Sequence, residues 1–155
     1  NRRSGIVTGG ELMQMGFEEQ KWIVPGIIAE GISKLEAPPK IGKSWLALDA
    51  ATALAIGGQV MGRTVERKNV IFMGLEDSLR RLHNRIKKQS HLEKSPMSLN
   101  NLLLATEWET GAEGLLRLGN FVKSHPADFI VIDTYARFFL SERFERLRGI
   151  NGDTC

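Results

Sequence analysis

The chain is 155 residues long, 42% hydrophobic and 25% charged, enough for one domain with a hydrophobic core and too little for two. That composition excludes a disordered, collagen-like or disulfide-built protein, and the single cysteine, Cys155, excludes a bridge within the chain. A net charge of +3 permits contact with nucleic acid without requiring it.

Residues 1–31 read as an irregular lead-in whose apolar patch, Trp22-Ile23-Val24-Pro25-Gly26-Ile27-Ile28, is expected to pack on the core. The lead-in has no export-signal pattern. The longest apolar run, residues 45–56, is interrupted by Asp49 and Thr52 and is too short to span a bilayer, so a cytoplasmic protein without membrane contact is expected. A core domain is expected over residues 32–137 and a charged segment, frayed or truncated, over 138–155.

A short strand is predicted over residues 32–37. Residues 43–56 are rich in Ala and Leu, hold no Gly or Pro, and stop at Gly57-Gly58, which predicts a buried helix. Val70-Ile71-Phe72-Met73 is a continuous apolar run of strand length, the form taken by strands covered on both faces. Leu79, Leu82 and Ile86 then recur at helical spacing among Arg80, Arg81, Arg85, Lys87 and Lys88, predicting an amphipathic basic helix. Leu102-Leu103-Leu104-Ala105 reads as the third strand. Thr110 and Glu113 have the spacing of a capping box, ahead of a helix that ends at His125-Pro126. Phe129-Ile130-Val131-Ile132 reads as the fourth strand. Strands alternating with helices imply an α/β fold of right-handed βαβ units with a mainly parallel sheet and helices on both faces. Such folds bind ligands at the carboxyl ends of their strands.

At the end of the first predicted strand, Ala37-Pro38-Pro39-Lys40-Ile41-Gly42-Lys43-Ser44 fits the phosphate-binding pattern G-x-x-x-x-G-K-[ST] at every fixed position but the first. Pro38 pushes Ala37 towards extended geometry with negative φ, which Ala tolerates as well as Gly. The amides of Lys40 through Trp45, at the turn into the helix, would surround phosphates, and the helix dipole favours an anion there. Gly42 lets the backbone approach, Lys43 puts a point charge on the outer phosphates, and Ser44 offers an oxygen to Mg²⁺. The alternative is a chance G-K-S at a helix start, which the position between a strand and a buried helix argues against.

Two acidic sites accompany it. Asp133 ends the fourth strand, the form of a Walker B carboxylate that holds Mg²⁺, although many strands end in Asp because Asp suits the following turn. Thr134 follows, where many phosphate-loop ATPases carry a Glu that orients the attacking water, so that carboxylate must come from elsewhere. Glu76, just past the second strand, is the candidate for polarising water, with Asp77 assisting metal hydration; for Asp77 and Ser78 plain helix capping stands beside function.

Taken together, Gly10-Glu11-Leu12, Lys21 to Gly26, Pro39 to Leu48, Leu75-Glu76-Asp77-Ser78 and Val131 to Arg137 resemble the AAA-domain, RecA-like ATPases typified by RepA-type plasmid and phage replication helicases. The resemblance implies an ATP·Mg²⁺ site of Lys43, Ser44, Glu76, Asp77 and Asp133, hexameric rings of identical subunits, and hydrolysis coupled to movement on single-stranded DNA. Lys34 and Glu36 depart from it, since the family's phosphate-loop strand is apolar. Burying either charge unpaired would cost several kcal/mol, so that strand is expected to be less buried than usual. The family's next strand, its sensor residue and its arginine finger are expected beyond Cys155. Two other functions fit the motifs: a nucleotide-binding module or remnant with little turnover, and a phosphate-loop kinase of a small metabolite using the basic helix as a lid.

Overall fold

The computed structural model describes residues 6–89 and 96–139. Their elements, in order, are helix α1 (Gly9–Gln14), strands β1 (Trp22–Val24) and β2 (Ile28–Ala29), helix α2 (Lys43–Ile56), strands β3 (Gln59–Val60), β4 (Arg63–Thr64) and β5 (Val70–Gly74), helix α3 (Leu79–Lys87), a 3-10 segment (Pro96–Asn101), strand β6 (Leu102–Ala105), helix α4 (Gly111–Ser124), strand β7 (Phe129–Asp133) and helix α5 (Tyr135–Phe139). No helix among the described residues is long and apolar enough to cross a membrane.

β5, β6 and β7 form a parallel sheet in the order β6-β5-β7, so the all-apolar β5 lies in the centre and is buried at every position. The pleat sends alternate residues to opposite faces. Val70 and Phe72 of β5, with Phe129 and Val131 of β7, join Leu48, Leu54 and four alanines of α2 and Leu82 of α3. Ile71 and Met73, with Ile130 and Ile132, meet Leu118 and Phe121 of α4 and Phe138 of α5. The chain is thus an α/β domain with helices on both faces of a three-stranded parallel sheet. Each large side chain removed from water here contributes about 1.5–3 kcal/mol.

α2 is the central helix of the first layer. Its small residues, Ala50, Ala51, Ala53 and Ala55, let it lie close on the sheet, and Gly57, at φ 73°, stops it by turning left-handed while the amide of Gly58 bonds back to the Ala53 carbonyl at 2.8 Å.

Two hairpins extend the α2 layer without a clear signal in the hydrophobic pattern. β1 and β2 pair across Pro25-Gly26, where Gly26 takes φ 71°, and they carry Val24 fully into the core with Ile23 and Ile28 against it. β3 and β4 pair across Met61-Gly62, both with positive φ, the two-residue turn that matches the twist of short hairpins.

Two expectations are corrected. Residues 32–37 form no strand: Ile32 and Leu35 are exposed, and Lys34 and Glu36 pair with each other at 2.9 Å in solvent. Two charges that can stay hydrated and paired have no reason to enter a sheet. The capping box expected at Thr110 and Glu113 does not form; one forms at α1, between Thr8 and Glu11. α5 runs to Phe139 and buries Phe138 completely; residues 140–155 of the expected charged segment lie outside the described residues.

Candidate functional site

The loop before α2 folds around its own lysine. Gly42 is the N-cap of α2 with φ 95°, and Lys40 also has positive φ, at 66°, so the chain coils back on itself just before the helix. Only glycine takes that N-cap geometry without strain from Cβ, and no atom lies within 4 Å of where a Cβ would stand, so the loop stays open to approach. No side chain caps the first turn, whose amide donors have no acceptor further back in the helix. The Lys43 ammonium donates to the carbonyls of Ala37, at 2.5 Å, and Pro38, at 2.8 Å. Ala37 thus contributes its main-chain oxygen, and its φ is not positive, which is why a methyl group does no harm where the motif has glycine.

The carboxylates come from the carboxyl ends of β5 and β7. Gly74 is in register with Asp133, and the amide of Leu75 donates to the Asp133 carbonyl at 2.7 Å, locking the two strand ends together. Glu76 stands exposed just past that lock, and its Oε1 accepts a hydrogen bond from the Thr134 hydroxyl at 3.0 Å. Asp133 is half-buried at the end of β7.

Asp77, expected at the metal, is occupied differently. Its side chain is only 7% exposed, and its oxygens face Arg85, in direct contact, and Arg81 at 3.5 Å. The helix cap falls instead to Ser78, whose Oγ accepts from the Arg81 amide. Arg85 also lies 5.4 Å from the ring centre of Trp45, in the first turn of α2. Trp45, Arg85 and Asp77 therefore join the start of α2 to the end of β5. A second link joins the loop to β7, because Lys34 lies 5.9 Å over the ring of Tyr135, two residues beyond Asp133. Between them these contacts tie the start of α2 and the loop before it to the ends of β5 and β7, where Glu76, Asp77 and Asp133 stand.

A family model described as an AAA domain matches residues 3–145. The chain belongs to the AAA-domain family. This is a family of phosphate-loop ATPases, so the AAA domain here is a nucleotide-binding domain. Neither the curated proteins nor the solved structures contain a match to the chain.

Within this AAA domain, Mg²⁺ would find Ser44 and Asp133, the hydroxyl at the head of α2 and the carboxylate at the end of β7. Mg²⁺ keeps several waters and takes few protein oxygens beside substrate phosphates, so this sparse donor set fits it; among the described residues no His, Cys, Asp or Glu cluster competes. The cavities elsewhere, one along Leu115 and Leu116 of α4 and one near Asn69 and Ala127 at the amino end of the sheet, lie away from this edge. Glu36 stays ionised beside the loop, since the hydrogen bond and charge of Lys34 hold its carboxyl below the ordinary range, but its charge is paired with that lysine.

Sequence reasoning missed Thr134 and Arg85 as parts of this edge. Thr134 entered only as the residue that is not Glu, and its signal was a hydroxyl at a strand-to-helix junction. Arg85 was counted among surface cations, but its side chain is only 19% exposed.

Proposed function

We propose that this AAA domain binds ATP·Mg²⁺ and hydrolyses it as part of a DNA-replication ATPase of the helicase type. What carries the reading is the gathering of a lysine-bearing phosphate loop, an exposed glutamate and a strand-ending aspartate at one sheet edge. Lys43 supplies the ammonium for the outer phosphates, whose oxygens compete for the protons that now go to Ala37 and Pro38. The amides of Lys40 through Trp45 take the remaining phosphate charge, with the dipole of α2 behind them. Ser44 and Asp133 would hold the metal, which would supply charge neutralisation on the phosphates. Glu76 orients the attacking water and accepts its proton.

Single-stranded DNA and a ring of identical subunits complete the proposal. Arg80, Arg81 and Lys87 of α3 and Lys88 just past it are exposed and are the cations left for DNA phosphates, since Arg85, only 19% exposed, is turned onto Asp77. The same contact withdraws Arg85 from a kinase-like lid. One observation favours the slower alternative, a nucleotide-binding module: residues 32–37 build no strand beneath the loop.

Phosphate release measured with and without single-stranded DNA separates these readings. The helicase-type reading expects release that DNA stimulates and that Glu76→Gln lowers about 100-fold or more. ATP binding without release supports the binding module, and hydrolysis unchanged in Glu76→Gln removes Glu76 from the mechanism.

A further inference from the structure

Resting on the ATPase reading above, we propose that Thr134 is a positioning residue that holds the Glu76 carboxylate in the orientation that activates water. The Thr134 hydroxyl has one proton and can accept as well as donate. It accepts the backbone N–H of Arg137 at 3.4 Å, in the manner of a helix cap on α5, and sends its own proton to Glu76 Oε1 at 3.0 Å. One hydroxyl thus joins a helix start to a carboxylate 58 residues away in the chain.

Both ends of that link are anchored. Thr134 follows the last residue of β7, its carbonyl accepts from the Phe138 amide at 3.2 Å, and Phe138 is fully buried. Glu76 hangs from the end of β5, which is tied to β7 by the Leu75 amide on the Asp133 carbonyl. Between its anchor and its carboxylate, however, Glu76 is an exposed side chain with the rotamer freedom of any glutamate. A bond from the β-branched, stiff Thr134 to Oε1 selects one rotamer and leaves Oε2 to receive a water proton. Helix capping alone would require Thr134 only as an acceptor; the donated proton is what reaches the chemistry.

Steady-state hydrolysis and ATP calorimetry on Thr134→Val, Thr134→Ser, Thr134→Asp and the double variant Glu76→Gln/Thr134→Val test this. Thr134→Val lowers kcat about tenfold while KM and the ATP Kd stay within about twofold, and Thr134→Ser recovers most of the rate. Thr134→Asp keeps an oxygen for the Arg137 amide but sets a second carboxylate against Glu76 in place of the donated proton, so its kcat falls as well. In the Glu76→Gln background Thr134→Val lowers the residual rate no further, because the group it positions is already gone. Wild-type kcat in the valine or aspartate variant overturns the assignment, as does an equal loss with and without Glu76. Absence of hydrolysis in the wild-type protein overturns the ATPase reading, and this one with it. Hydrolysis that Glu76→Gln stops but Thr134→Val leaves intact overturns Thr134 alone.

Discussion

The two sides of the candidate site are built differently. The carboxylate side hangs from β5, a strand buried at all five positions between two helical layers, and from β7, locked to it in register. The phosphate-loop side hangs from residues 32–42, where Ile32 and Leu35 face solvent and where an exposed ion pair and two bonds from Lys43 supply much of the order. The core therefore fixes the acidic side in advance, while the basic side relies on polar contacts for which a triphosphate can substitute its own oxygens. Stability should reside in the first region and nucleotide affinity in the second.

Substitutions sharpen that division. Phe72→Ala removes the largest fully buried side chain of β5 and should cost about 3–5 kcal/mol in denaturant unfolding, enough to unfold much of the protein. Asp77→Ala leaves the poorly exposed Arg85 without its carboxylate and should cost about 2 kcal/mol. Because Arg85 also touches Trp45, the same change should reach across and weaken ATP binding. A normal affinity in Asp77→Ala would show that the two sides are not joined through Arg85. Gly42→Ala meets no atom within 4 Å but must hold φ near 95°, so its cost should be backbone strain alone, about 1–2 kcal/mol, with ATP affinity falling more than stability. Leu35→Ala should shift unfolding by no more than about 0.5 kcal/mol, as befits an exposed side chain. A loss like that of Phe72→Ala would mean that residues 32–37 are packed after all.

The same division explains what could be read from the sequence. The runs at residues 70–73, 102–105 and 129–132 were legible as buried strands because apolar continuity has few other meanings at that length, and the glycines after residue 56 marked the end of α2. The phosphate-loop motif and Asp133 stood out as candidates by position, and the structure does put the lysine at a helix head and the carboxylate at a strand end. Residues 32–37 misled because apolar Ile32, Leu35 and Ala37 lie between Gly31 and Pro38, while Lys34 and Glu36 decide locally for solvent. The occupation of Asp77 was hidden because Arg81 and Arg85, at four and eight residues' distance, also suit a solvated helix face, and only the fold shows which way they turn. The hairpins at Trp22–Val24 with Ile28–Ala29 and at Gln59–Val60 with Arg63–Thr64 rest on turn residues and strands of two or three residues, too short for periodicity to register.

The central claim is that main-chain amides at the head of α2, with the Lys43 ammonium, receive a triphosphate. Isothermal calorimetry of ATP with the intact chain and with Lys43→Ala, each with and without Mg²⁺, addresses it most directly. The account predicts Mg²⁺-dependent binding that the alanine variant weakens about 100-fold, as expected when one partner of a charge-assisted contact is removed. Equal ATP uptake by both proteins, or none by the folded wild type, would contradict it.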